Sequence, residues 1–254
     1  MKIKITDEGY AVIDGDTYIG KQVQKHRRLD FDQRALKQYL PFFTEKGVMI
    51  NVGANIGCCA YAFIQKASEV ICFEPNPPVF ECLRHNLERF PNVKLYNEAI
   101  SDSVRPFEML DFNKKSLIER AQASPWLCIT PLLLGSERGN VGATPIFHKN
   151  SGEKKTNYID NFNFKRIDFI LIDAEGSEFN ILKGAEQTIS KLKPIIVMEL
   201  NQVFLKAMGA TKEDIFDFLD GQGYTYRNIY GDYPLDAHYL DIICMPTDKY
   251  PPSL

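Results

Sequence analysis

From residue 47 the chain alternates short apolar runs with longer amphipathic stretches. That rhythm constrains the fold more than any other feature of its 254 residues. Val48-Met49-Ile50-Asn51-Val52 runs straight into Gly53-Ala54-Asn55-Ile56-Gly57, and a helix is expected over about 57–66. A second strand, Val70-Ile71-Cys72-Phe73, is closed by Glu74-Pro75-Asn76-Pro77. A proline in the first turn opens the next helix, which should reach about Arg89. Val93-Lys94-Leu95-Tyr96 is a third strand. The pattern lapses between 101 and 160 and resumes with a strand over 167–173. A helix around 178–191, a strand over 194–199 and a helix over about 211–220 follow. Buried strands alternating with such helices imply parallel βαβ units with right-handed crossovers, which puts helices on both sheet faces. The last two β runs, about 223–230 and 238–245, are separated only by Gly231–Ala237. That gap is too short for a helical crossover, so the pair should be antiparallel.

Two stretches lie outside this rhythm. Near the N-terminus, Tyr10–Ile13 and Thr17–Ile19 flank Asp14-Gly15, which predicts a hairpin across that dipeptide. An amphipathic helix is expected over 30–40, with Phe31, Ala35, Leu36, Tyr39 and Leu40 on one face and Pro41 just past it. Residues 101–160 are β-prone and turn-rich, with Gly135, Gly139, Gly142 and Gly152, and read as a β-rich insertion. The expectation is one domain over 1–254. Its extension (1–45) and insertion (101–160) should fold over the cleft and shape what it accepts.

Composition removes several classes. An apolar fraction of 44% and a charged fraction of 25% are ordinary for a globular chain. A net charge of −3 provides no general basic field, so nucleic acid is not the expected partner. None of the six cysteines is spaced Cys-x-x-Cys, and they read as small core residues in a reducing compartment. MKIKITDEGY lacks the apolar core of a signal peptide. The most apolar run, Trp126–Leu134, is broken by Pro131 and falls far short of the ~20 residues of a membrane span. A cytoplasmic protein is expected.

The glycine loop carries the first chemistry. Glycines between a strand end and a helix allow close backbone approach to a ligand. Glu74, about 20 residues beyond Gly53, stands where a carboxylate accepts both hydroxyls of a ribose. Together they favour an adenosine-containing ligand. A P-loop needs Gly-Lys-Ser/Thr, whereas Cys58-Cys59 follow Gly57. A dinucleotide loop wants glycine where Asn55 stands. The third reading is S-adenosylmethionine, whose loop has no pyrophosphate to cradle; Gly-x-Asn-x-Gly and the antiparallel C-terminal pair suit it best.

At this point the sequence resembles the FkbM family of S-adenosylmethionine-dependent methyltransferases. The resemblance rests on Ile50–Gly57, on Cys72–Pro77, on Ile170–Glu178 followed by Leu182-Lys183-Gly184-Ala185, and on Tyr158-Ile159-Asp160. It covers about residues 45–200. It implies a seven-stranded, Rossmann-like α/β sheet and methyl transfer to a hydroxyl on a small-molecule acceptor such as a glycan or natural-product scaffold. It assigns donor contacts to Asn51, Gly53, Ala54, Asn55, Gly57, Glu74, Pro75, Ala99 and Asp173. Two positions depart from the family: Asn51 stands for the usual aspartate and Leu171 for a usual lysine. The first departure leaves open a non-catalytic binding protein on the same fold, and a methyltransferase acting on RNA or protein is a further alternative.

Methyl transfer to a hydroxyl requires alignment and a base. Asp173, at the end of the fourth parallel strand, is the first candidate, with Glu175 and His148 as alternatives. Glu175 or Glu178 is expected to cap the helix that follows. Asp173, Glu199 and Asn201 together offer oxygen ligands for a divalent cation, although no metal is assigned. Lys25, His26, Arg27 and Arg28 form a basic cluster suited either to an anionic acceptor or simply to solvent.

Overall fold

The computed structural model describes residues 1–31, 35–109, 146–148, 152–231, 235 and 237–250. Its centre is a seven-stranded sheet. In chain order the strands are β3 (Val48–Val52), β4 (Glu69–Phe73), β5 (Val93–Tyr96), β8 (Phe169–Ile172), β9 (Ile195–Asn201), β10 (Tyr224–Asn228) and β11 (Tyr239–Pro246). The spatial order is β10-β11-β9-β8-β3-β4-β5. The five strands from β9 to β5 are parallel, and β11 runs antiparallel between β9 and β10, as the short C-terminal connection requires.

Strand alternation divides the core in two. Met49, Val70, Cys72, Phe169 and Leu171 face one way. They pack against α1 (Ile19–His26), α2 (Cys58–Phe63) and α3 (Pro77–Leu87). Val48, Ile50, Ile71, Phe73 and Ile170 face the other way. On that side lie α4 (Glu178–Gly184), α5 (Glu186–Leu192) and α7 (Lys212–Gly221). Phe43, Phe63 and Phe169 form an aromatic cluster with centroids 5.3–6.0 Å apart, Phe43 standing edge-on to the other two rings. Each such buried side chain is worth about 1.5–3 kcal/mol. Cys58, Cys72, Cys82 and Cys244 are buried, as expected of core cysteines.

The N-terminal extension differs from the sequence reading. The hairpin pairs β1 (Ile3–Ile5) with β2 (Ala11–Ile13), so Asp14-Gly15 lies after it. Asp16 decides this: its carboxylate accepts from the N–H groups of Tyr18 (3.0 Å) and Gly20 (2.8 Å), which starts α1 where a second strand was expected. Of the helix expected over 30–40, residues 32–34 lie outside the described residues, and the described part is a π turn, Ala35–Tyr39, running into a 3-10 turn, Leu40–Phe42. Pro41 has no N–H and would crowd an α-helical carbonyl, so regular helix stops there. Asn86 of α3 ties β2 to the core by exchanging bonds with the Ala11 N–H (2.8 Å) and carbonyl (3.0 Å), and it also donates to the Ile56 carbonyl (2.9 Å).

Two further differences lie in the C-terminal half. The helix expected over 178–191 breaks at Ala185 into α4 and α5, because Asp160 accepts from Gln187 and Thr188 N–H and so caps a new start. An unexpected helix, α6 (Gln202–Ala207), follows β9 at once, capped by Asn201. Within the insertion, β6 (Phe107–Met109) pairs with β7 (Ile146–His148). The Trp126–Leu134 run, Cys128, Gly135, Gly139 and Gly142 lie outside the described residues. Among the described residues no helix is long and apolar enough to cross a membrane.

Candidate functional site

The loop after β3 is built on Gly53. Its φ is +80°, and a Cβ there would lie 1.8 Å from the Asp173 carbonyl oxygen. Glycine is therefore required for contact with the neighbouring turn, and the close approach is protein on protein. Gly57 (φ +99°) is similarly packed, with Leu83 and Leu87 of α3 where a side chain would be. The N–H groups of Gly53 and Ala54 both donate to the Phe73 carbonyl (3.0 Å each). Asn55 N–H donates to Glu74 Oε2 (3.0 Å), Ile56 N–H to Asn55 Oδ1 (2.8 Å) and Gly57 N–H to the Ala54 carbonyl (2.9 Å). All five loop amides are thus engaged inside the protein. A phosphate-binding loop needs such amides pointing at its ligand.

Glu74 is 7% exposed. Besides Asn55, it accepts from Asn76 N–H through Oε1 (2.8 Å). Burial pushes its carboxyl up to about 7, and the two backbone donors partly oppose that rise. One carboxylate therefore joins the loops after β3 and β4, and each oxygen keeps a further lone pair.

The turn after β8 follows the same plan. Glu178 is 2% exposed, and its Oε1 accepts from Ala174 N–H (3.1 Å) and Gly176 N–H (3.2 Å). Burial, and then the charge of Glu199, push this carboxyl up to about 7. Glu178 therefore braces its own turn and leaves the Ser177 N-cap position without a side-chain cap.

Between these loops opens a cleft that is continuous with solvent at its mouth. Of the sequence-predicted residues, Asn51, Gly53, Ala54, Asn55, Asp173 and Glu199 line it. Asn51 is 2% exposed, and among the described residues nothing bonds its amide. Leu171 also lines the cleft.

The sequence reading missed several lining residues. Cys58 and Cys59 stand at the start of α2, and Asp241 lies on β11 opposite Glu199. Ile19, Phe31 and Tyr39 come from the N-terminal extension, which therefore packs over the cleft. An aspartate inside the apolar run of β11 was the available signal for Asp241, and the expectation that the extension folds over the cleft was the signal for Ile19, Phe31 and Tyr39; Cys58 and Cys59 had none. Tyr230 Oη (2.7 Å) and Tyr39 Oη (3.4 Å) donate to Asp241 Oδ2, and Tyr239 Oη donates to Glu199. Burial, then Glu199, Asp241 and Asp173, raise the Tyr239 phenol, which stays a donor. Asp173 is the most exposed of the three acids.

The remaining candidates are placed as follows. Pro75 and Glu74 flank the loop and do not line the cleft. Ala99 packs with Phe107 and Ile146, and its carbonyl accepts from Asn157 N–H (2.7 Å). Glu98 accepts from the Asn157 side chain (2.7 Å). Glu175 sits in the turn at φ +50°. His148 lies on β7, with Nε2 at 3.1 Å from Ser101 Oγ and 3.2 Å from Arg105, and does not line the cleft. Burial, then Arg105, lower its imidazole. Asn201 is committed to capping α6, and among the described residues no group of three His, Cys, Asp or Glu side chains is placed to hold a metal ion. The basic cluster ends α1, where Arg27 pairs with Glu8 and Arg28 with Asp30 (2.9 Å).

Comparison with known proteins adds the following. The family described as Methyltransferase FkbM domain matches residues 51–226, more than half of the chain. A solved Methyltransferase FkbM from Methylobacillus flagellatus KT superposes with a TM-score of 0.51 at 15% identity, covering 92% of this chain and 55% of that one. The AMB antimetabolite synthetase AmbE of Pseudomonas aeruginosa is 25% identical over 187 residues, 65% of this chain. The chain spans 9% of that relative's length.

Proposed function

The chain belongs to the FkbM methyltransferase family, and from that premise we propose that it transfers a methyl group from S-adenosylmethionine to a hydroxyl on a small acceptor such as a sugar or natural-product scaffold. The observation that carries this reading is the glycine loop whose five amides are already engaged. Such a loop suits a donor with an adenosine and an amino acid but no pyrophosphate. Asn51, Gly53, Ala54, Asn55 and Gly57 form the donor loop and its base, and Glu74, held at the loop's edge by Asn55 and Asn76 just outside the cleft lining, keeps lone pairs for the ribose hydroxyls of a donor that extends past the loop. Pro75 and Ala99 border the nucleoside.

The donor supplies a methyl group activated by its sulfonium. The chain's task is to align the acceptor oxygen and receive its proton. Asp173 fits that role best, being exposed at the cleft between the donor loop and the rim acids. Glu175 and His148 are the weaker candidates, since neither lines the cleft. Ile19, Phe31 and Tyr39 close the other side and shape acceptor choice.

Calorimetric titration with S-adenosylmethionine and S-adenosylhomocysteine tests the donor, and heat with neither compound overturns it. Labelled-donor transfer to a panel of glycosides and hydroxylated scaffolds tests the acceptor. With any acceptor found, Asp173→Asn should lower the rate by roughly 10²–10⁴-fold while S-adenosylhomocysteine still binds. A second reading, a binding protein on this fold, is favoured by the neutral Asn51. It predicts heat with the donor and no transfer to any acceptor.

A further inference from the structure

We propose that Glu178 is a positioning residue of this site, holding Asp173 against the donor loop through the amides of Ala174 and Gly176. The inference rests on the reading of the cleft as a donor site. The turn it braces has little slack. The Asp173 carbonyl occupies the space where Gly53 would carry a side chain. On the other side of the turn, a Cβ at Gly176 would lie 2.6 Å from the Phe204 carbonyl oxygen. Between these contacts Glu175 (φ +50°) and Gly176 (φ +97°) are both left-handed. For Glu175 that conformation costs about 1–2 kcal/mol. The turn therefore needs an external hold, and Glu178 Oε1 supplies it by accepting from the N–H groups on both sides of Glu175.

The chemistry of Glu178 does not suit simple space filling. Among the described residues its Oε2 is buried without a partner, as is the neighbouring Ser177 hydroxyl. An apolar side chain of the same reach would fill the space without burying an unpaired oxygen. What an apolar side chain lacks is the acceptor: Oε1 takes both N–H groups at once, and a carboxyl oxygen accepts in either protonation state. Glu178 thus carries a local cost for an interaction that ends on the Ala174 and Gly176 amides, one and three residues beyond Asp173.

The test uses S-adenosylhomocysteine as the probe and compares Glu178→Gln, Glu178→Leu and Ser177→Ala with the native chain, with amide exchange followed at Ala174 and Gly176. Glu178→Gln keeps the acceptor oxygen and should bind within about threefold of native, while Glu178→Leu should bind at least about tenfold more weakly. In the Leu variant the Ala174 and Gly176 amides should exchange faster while those of β3 and β8 do not. Ser177→Ala, which removes a hydroxyl that bonds nothing, should match the native chain in both measurements. Native-like binding and exchange in Glu178→Leu, or an equal loss in Ser177→Ala, overturns the proposal. If the native chain itself gives no heat with the probe, the donor reading fails, and the exchange measurement still decides the role of Glu178.

Discussion

The loop after β3 and the turn after β8 are each braced by a buried glutamate that accepts from two backbone N–H groups. The two glutamates are deployed differently. Glu74 reaches across from the next strand and uses both oxygens, one on Asn55 and one on Asn76, so it joins two loops. Glu178 works within its own turn through one oxygen, and its second is unpartnered. A bridging carboxylate with spare lone pairs beside the loop fits both structural bracing and ligand contact. A carboxylate closed into its own turn fits positioning alone. The contrast separates a group that should touch the donor from one that should act through Asp173.

Breaking the contact between the two loops should have the largest effect. Gly53→Ala must move the Asp173 carbonyl or leave φ +80°. It should destabilise the fold by about 3 kcal/mol or more, read as a lowered denaturant midpoint. An unchanged midpoint would mean that the two loops do not constrain each other.

The next largest effect separates the two acids. Glu74→Ala removes two charge-assisted bonds and the ribose acceptor together. It should weaken S-adenosylhomocysteine binding by about 30-fold or more, measured by calorimetry. A loss smaller than that of Glu178→Leu would reverse the assignment of the two roles.

Titration sharpens the same contrast. Both carboxyls are raised from an ordinary 4.5 to about 7. A raised carboxyl binds its proton more tightly in the native than in the unfolded state. Its contribution to stability is therefore complete below about 4.5 and is lost as pH rises through 7. The unfolding free energy should rise as pH is lowered from about 8 to 5.5, and less so in Glu74→Gln or Glu178→Gln. Ribose hydroxyls donating to Glu74 favour its ionised form, so donor binding near pH 7 should release protons. Calorimetry in buffers of different ionisation enthalpy should find that release absent in Glu74→Gln and present in Glu178→Gln.

The smallest expected effect lies outside both loops. Tyr39→Phe removes the 3.4 Å bond to Asp241 from the N-terminal extension. It should cost about 1 kcal/mol or less and leave donor affinity unchanged. A large loss of donor binding would place the extension in the donor site and not on the acceptor side.

The sheet was legible because periodicity and connection length are local properties. Continuous apolar runs such as Val70–Phe73 have to be buried on both faces, and a short Gly231–Ala237 link admits only antiparallel pairing of its flanking strands. The places where sequence reasoning went astray were decided by single side chains. Asp16, bonding N–H groups only two and four residues on, turned an expected strand into α1, and Asp160, 27 and 28 residues away in the chain, split one expected helix into two. The second partner is not signalled in the sequence.

The sequence by itself determined the α/β architecture, the family resemblance and the glycine-loop side of the cleft. Those features reside in contiguous segments, where glycine, asparagine and glutamate positions follow from the strand-to-helix turns they occupy. Only the tertiary structure decided which acids meet at the cleft. Glu199 and Asp241 face each other through strand register, and Tyr39, Tyr230 and Tyr239 reach them from separate parts of the chain. The distinction between Glu74 and Glu178 also required the fold, because it depends on which backbone N–H groups each buried carboxylate meets.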